Sequence, residues 1–268
     1  MRLVLVKSAS CWKNSSRNGG VFFIISFFIY ILYNLLILVR IYFMQHIGFI
    51  MDGNRRWAKK IGNIIKIWHE NGGKTFEQVL EWCYEKEIPF VSFWALSKEN
   101  ILERTEDELL SIYTIIRWSL PRLISQAEER NISIDYVGDI WLLPKDIRDM
   151  LIEAQEKTEK NTKMTVILAL AYSGQDEIVR GVRRYIAQGN DIALLDEKNF
   201  LNFLDSWAFP PPDLIVRTGW ATRHSGYFLY QSAYSEYFFT QTLWPDFSRS
   251  DLEEALEYFA SIKRNFGK

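Results

Sequence analysis

Three stretches of this sequence combine carboxylate, guanidinium, hydroxyl and amide groups at spacings that could hold a phosphate ester. The first, Met51–Asp52–Gly53–Asn54–Arg55–Arg56–Trp57, ends the short apolar run His46–Met51. Its glycine permits close backbone approach, and a helix beginning here would present free N–H groups to an anion, with Arg55 and Arg56 beside them. Asp52 would repel phosphate unless a divalent cation lay between, so it points to Mg2+. Taken alone, Asp–Gly–Asn is also an ordinary turn. The second stretch is Arg217–Thr218–Gly219 with Arg223–His224–Ser225. Two guanidinium groups and a hydroxyl around a glycine could grip a second phosphate bidentately. A surface loop paired with the chain's excess acids would look the same. The third, Ser97–Lys98–Glu99–Asn100 with Arg104, reads by itself as a polar loop capping the next helix.

Each stretch follows a strand-like segment. Beyond residue 45, strand-like and helix-like segments alternate, which is the pattern of an α/β domain with a mainly parallel sheet. Strands are expected at His46–Met51, Pro89–Leu96, Asn131–Gly138, Thr165–Tyr172 and Asp213–Thr218. Helices are expected at Glu70–Glu87, Thr105–Arg130, Pro144–Lys160, Gln175–Gln188 and Arg249–Arg264. Thr105–Glu106–Asp107–Glu108 has the form of a capping box. In open sheets of this kind, ligands bind beyond the carboxyl ends of the strands, which is where the three stretches fall.

With 268 residues, 48% of them hydrophobic and 24% charged, the chain has an ordinary globular composition and can bury a sizeable core. The net charge is −1, but residues 1–45 carry five cations and no acid, so the remainder carries −6. That balance gives no nucleic-acid footprint. Cys11 and Cys83 offer neither a disulfide framework nor paired metal ligands, which favours a reducing compartment. The many aromatic residues suit core packing, and some suit the wall of an apolar cavity.

No charged residue occurs from Val21 to Val39, a run long enough to span a hydrocarbon core as a helix. No small-residue cleavage site follows it. The expectation is an N-terminal extension, residues 1–43, anchored in a membrane through residues 21–39, with a cytoplasmic domain over 44–268. A helix buried in a partner, or translation starting at Met44 with a cytoplasmic product, would fit the same residues.

Taken together, HIGFIMDGNRRWAKK at 46–60, Ser–x–Glu–Asn at 97–100, DLIVRTG at 213–219, RHS at 223–225, QSAYSEYFF at 231–239 and LWPDF at 243–247 resemble the cis-prenyltransferase family, the undecaprenyl diphosphate synthase type. The match is collinear from His46 to the C-terminus. The resemblance implies a single domain with a six-stranded, mostly parallel sheet flanked by helices and enclosing a hydrophobic tunnel, acting as a homodimer or beside a related subunit. It implies condensation of isopentenyl diphosphate with an allylic primer such as farnesyl diphosphate, with Mg2+ as cofactor. By position, Asp52 becomes the catalytic aspartate and a Mg2+ ligand, and Asn100 assists proton movement. Gly53, Asn54, Arg55 and Arg56 cradle the allylic diphosphate, with His69 nearby and Trp57 in the same substrate-binding set. Ser97, Arg104, Arg217, Arg223 and Ser225 join the substrate-binding set, the last three on isopentenyl diphosphate. Glu236 adds a second Mg2+ ligand, across a dimer interface.

The chain departs from the family pattern at several places. Arg55 stands where bacterial members have glycine, Ile65 where arginine is usual, and Trp68 where glycine precedes the histidine. Trp220–Ala221 replaces Gly–Glu, Gly226 replaces asparagine, Ile101 replaces tryptophan, and Asn265–Phe266–Gly267 replaces Arg–x–Gly. The loss of Arg at 65 and Glu at 221 supports a rival reading: a weakly active or inactive membrane-anchored subunit that stabilises a catalytic partner. Retention of Asp52, Asn100, Arg217, Arg223 and Ser225 together supports an active enzyme. A phosphate-binding hydrolase or kinase is the third reading, and the absence of a G-x-x-x-x-G-K-[ST] loop weakens it.

Overall fold

The computed structural model describes residues 43–62 and 65–264, with isolated positions 29, 31, 32, 39 and 41 before them; for 65–70 it describes the backbone alone. Most of the apolar run 21–39 lies outside the described residues, as do Cys11 and the Asn265–Phe266–Gly267 triplet. Among the described residues no helix is long and apolar enough to cross a membrane. The chain divides into two compact units, Met1–Phe43 and Met44–Lys268. In the first, Ile29, Ile31, Leu32 and Val39 are exposed.

In the second unit, six strands form one sheet: β1 (His46–Ile50), β2 (Phe90–Ser97), β3 (Ile132–Val137), β4 (Met164–Tyr172), β5 (Leu214–Arg217) and β6 (Glu236–Phe239). Their order is β3-β4-β2-β1-β5-β6, and every pairing is parallel rather than mostly so. β1 is buried along its whole length and β4 nearly so. A parallel sheet covered on both faces demands such unbroken apolar strands. The helices between and after them are α1 (Asn54–Lys60), α2 (Ile65–Glu85), α3 (Lys98–Glu103), α4 (Glu106–Arg130), α5 (Lys145–Thr158), α6 (Gly174–Ala187), the single turn α7 (Glu197–Phe200) and α8 (Arg249–Ser261).

Local chemistry accounts for where the longest helix starts and stops. Thr105 accepts from the Glu108 N–H while the Glu108 carboxylate takes the Thr105 N–H, completing the expected capping box. Glu106, Asp107 and Glu108 in the first turn complement the helix dipole, and Asn131 ends α4 in the left-handed region at φ 59°. Pro121 sits inside α4, where it removes one backbone donor. The stretch read as a polar loop after β2 is α3 instead, capped by the Ser97 hydroxyl accepting from the Asn100 N–H.

Between β2 and β4 the ladder skips a residue. Trp94 pairs with Ala169 and Leu96 with Leu170, leaving Ala95 in a bulge. Aromatic rings fill the core on either side of the sheet. Phe49 and Phe93 stack at 5.3 Å with Trp244 beside both, while Tyr172, Tyr227 and Phe228 belong to a second buried cluster.

Candidate active site

The carboxyl ends of β1, β2 and β5 converge on a cavity of about 620 Å3. Parallel neighbours bring them there: Ile50 is registered with Trp94 on one side and Arg217 on the other. The mouth is polar, with Asp52, Asn54, Arg55, Arg56, Asn100, Arg104, Arg217 and Ser225 in the lining. Behind it the walls are apolar, formed in large part by Ile112, Ile116, Leu120 and Leu123 of α4 and by Ala95 and Leu168 of the sheet.

Asp52 is the centre of the polar mouth. Its Oδ1 accepts from the Gly53 N–H at 2.6 Å and from Arg56 Nη2 at 3.1 Å, and its Oδ2 accepts from Arg217 Nη2 at 3.0 Å. The main chain is fixed as tightly. The Asp52 carbonyl accepts from the Thr218 hydroxyl at 2.7 Å and the Trp244 N–H at 3.1 Å. Gly53 turns the chain from β1 into α1 at φ 105°, where a Cβ would come within 2.8 Å of the Leu243 side chain. Only glycine accepts that backbone without strain.

Arg217 joins the two outer stretches that the sequence singled out. It is buried, and its Nη1 donates to the Ser225 hydroxyl at 2.7 Å and to the Arg223 carbonyl at 2.6 Å, while Nη2 reaches Asp52. Its Nε is buried without a protein partner. Arg56 also bridges the two stretches, donating from Nη2 to the Gly219 carbonyl at 2.8 Å. Elsewhere in the lining, Arg104 Nη2 donates to Asn100 Oδ1 at 3.1 Å. Burial, then the nearby Arg55, pull the Arg104 guanidinium below its ordinary pKa. Arg55 itself pairs with Glu108 at 3.1 Å.

Most of the expected site residues therefore meet at one cavity: Asp52, Gly53, Asn54, Arg55, Arg56, Ser97, Asn100, Arg104, Arg217 and Ser225. Arg223 contributes its carbonyl to Arg217 and is not part of the lining. Trp57 turns away and donates from Nε1 to Asp246 at 2.7 Å. Glu236 opens β6 and is registered with Leu214, at the end of β5 remote from Arg217; its recorded ion-pair contact is Arg264, at 3.9 Å. Within one chain it is not brought to Asp52. The side chain of His69 lies outside the described residues.

Sequence reading missed Thr218 and Trp244 as the groups that pin Asp52, and the apolar wall of α4. The wall had a signal: Ile112, Ile116, Leu120 and Leu123 recur at helical spacing on one face.

The donors fit a magnesium ion carried with its substrate. Among the described residues there is no group of three His, Cys, Asp or Glu side chains that could hold a metal alone. Mg2+ ordinarily binds through one or two carboxylates together with substrate phosphates and water, and three protein donors leave Asp52 lone-pair capacity for it.

A parallel sheet with a cationic mouth over an apolar cavity defines a protein shaped for an amphiphile with an anionic head. A family model described as putative undecaprenyl diphosphate synthase matches residues 50–267. The chain belongs to this family, the cis-prenyltransferases. It is 34% identical to an isoprenyl transferase of Treponema denticola, over 84% of this chain and 97% of the relative. It is 33% identical to a farnesyl-diphosphate-specific ditrans,polycis-undecaprenyl-diphosphate synthase of Buchnera aphidicola, over 84% and 91%. Its fold is similar to that of lavandulyl diphosphate synthase from Lavandula x intermedia, solved with dimethylallyl diphosphate, at a TM-score of 0.79 and 30% identity over 84% of this chain and 98% of that one.

Proposed function

We propose that the chain is a magnesium-dependent transferase that condenses isopentenyl diphosphate with an allylic prenyl diphosphate, with farnesyl diphosphate as primer, to give a cis-polyprenyl diphosphate. The observation that carries this is Asp52, held between Arg56 and Arg217 at the mouth of an apolar cavity. Arg56 and the free amides at the start of α1 receive the allylic diphosphate, whose C–O bond breaks with the electron pair leaving on oxygen. Arg217 and Ser225 hold isopentenyl diphosphate, whose double bond attacks the allylic carbon. A proton then passes from the new chain to an oxygen of the released diphosphate, and Asn100, oriented by Arg104, assists that transfer. Asp52, together with the substrate's diphosphate, would hold Mg2+, which would supply positive charge to stabilise the leaving group. The apolar walls favour a hydrocarbon chain lying away from water as it grows.

Exposed Val179, Ile186, Ile192 and Leu194 support association with a second copy or a related subunit. The uncharged run Val21–Val39 supports a membrane anchor, which alkaline-carbonate extraction of the full chain and of residues 44–268 would test.

The decisive experiment offers labelled isopentenyl diphosphate to the purified protein with geranyl, farnesyl or geranylgeranyl diphosphate. Mg2+-dependent label in butanol, absent in Asp52→Ala, supports the reaction and gives the product length. No label from a folded protein with any primer sinks it and favours the non-catalytic partner subunit.

A further inference from the structure

The turn that carries Ser225 is strained. Ser225 and Phe228 both have positive φ, 52° and 43°, and Gly226 between them has 87°. Side chains with a Cβ adopt such angles at a cost, so something must hold them there. Main-chain contacts contribute: the Gly226 carbonyl accepts from the Gly174 N–H at 3.1 Å, and the Tyr227 N–H donates to the His224 carbonyl at 3.0 Å.

The larger hold is the Tyr227 side chain, which is wholly buried. Its ring crosses β1 at Gly48, where a Cβ would come within 3.0 Å of Tyr227 Cε1. Beside Gly48 in register is Ser92 of β2, whose Oγ lies 2.7 Å from the Tyr227 hydroxyl and 2.7 Å from His46 Nε2. The other ring nitrogen of His46, Nδ1, is 2.7 Å from the Pro210 carbonyl. A carbonyl only accepts, so Nδ1 carries the proton. Burial pulls the imidazole down to a pKa of about 4, so the ring is neutral and Nε2 accepts. Ser92 therefore donates to His46, which leaves its oxygen to accept from Tyr227. The protons run one way, Tyr227 to Ser92 to His46, and each group in the chain has its partner. The same Tyr227 ring stacks on Trp94 at 5.2 Å and 13°, and Trp94 lines the cavity.

We propose that Tyr227 is a positioning residue: its buried hydroxyl, tied through Ser92 to His46, holds the turn that sets Ser225 and Arg217 at the cavity mouth. This rests on the reading of that loop as the isopentenyl diphosphate site. Without the tie the turn relaxes toward ordinary backbone angles, and the hydroxyl that accepts from Arg217 moves with it.

The test is calorimetric binding of isopentenyl diphosphate and, separately, of farnesyl diphosphate to the wild-type chain, Tyr227→Phe, Ser92→Ala and the double variant. Tyr227→Phe keeps the ring and removes only the hydroxyl. Each single change is expected to weaken isopentenyl diphosphate binding about ten-fold and to leave farnesyl diphosphate within about two-fold. The double variant should be no weaker than the worse single one, because both changes break one chain. Unchanged isopentenyl diphosphate affinity in both single variants overturns the proposal. So does a parallel loss for both ligands, which would mark general loosening. A wild-type chain that binds isopentenyl diphosphate but yields no product would sink the proposed reaction while leaving this role of Tyr227 measurable.

Discussion

At the scale of single residues, the site is a contest for one carboxylate. Arg56 and Arg217 both donate to Asp52, and each also grips the loop that follows β5. Removing Asp52 thus deletes the carboxylate that both guanidinium groups share and leaves two cations facing one another. Asp52→Ala should lower kcat by about a hundred-fold or more, with the KM for the allylic diphosphate changed far less. Equal losses in both, measured by steady-state kinetics, would contradict a role in ionisation. Arg217→Lys is a sharper probe of geometry. A lysine carries all its donors on one nitrogen and cannot span the contacts that Arg217 divides between Nη1 and Nη2. The KM for isopentenyl diphosphate should rise about ten-fold or more, and an unchanged KM would remove Arg217 from that subsite.

At the scale of elements, the sheet ends aim the chemistry and one irregularity shapes the cavity. Ala95 occupies the bulge of β2 and lines the cavity behind Asp52. Ala95→Leu should put a larger side chain into that space and shorten the product. Chromatographic sizing of the extracted lipids checks this, and an unaltered length profile would contradict it. The capping box of α4 gives a stability counterpart. Thr105→Ala should lower unfolding free energy by about 1 kcal/mol, read as a shift in urea midpoint.

These elements also show what could be read from the residues alone. Largely apolar runs gave β1, β2 and β4 to within a residue or so, because strands covered on both faces carry few polar side chains. Thr105 and Glu108 marked the start of α4, since capping is local chemistry. β6 was not foreseen. Glu236–Phe239 is four residues of mixed exposure on a sheet edge, without a periodicity that a short strand could display. The bulge at Ala95 was equally hidden, because it arises from the register between two strands rather than from either one. At the cavity mouth the residue types were legible, but their pairing was not. Nothing in the spacing of Arg56 and Gly219 announces that they touch.

At the scale of the whole molecule, buried polar groups tie pH to stability. His46 is fully buried with a pKa of about 4 against an ordinary 6.5, the burial outweighing the raising influences of the Pro210 carbonyl and the Asp213 charge. The native state therefore binds fewer protons than the unfolded chain between those values. The contribution is fully present above pH 6.5 and is lost as pH falls to about 4, a total of about 3 kcal/mol. Urea unfolding at a series of pH values should show this fall, and His46→Gln should flatten it. An equal slope in the variant would assign the acid sensitivity to the carboxylates instead.

The strand order has a consequence for how the protein is made. Among the described strands β1 is the first to leave the ribosome, yet it ends between β2 and β5, and the contact that completes the mouth joins Asp52 to Arg217, 165 residues later. At ordinary synthesis rates that is an interval of roughly ten to thirty seconds. Throughout it, the backbone groups of His46, Gly48 and Ile50 that β5 will later pair have no strand partner, a template for pairing with another nascent chain. Sealing that edge and assembling the site are one event. A chain stalled before β5 would be both inert and prone to aggregate, and shielding the growing polypeptide until release is part of what this topology asks of the cell.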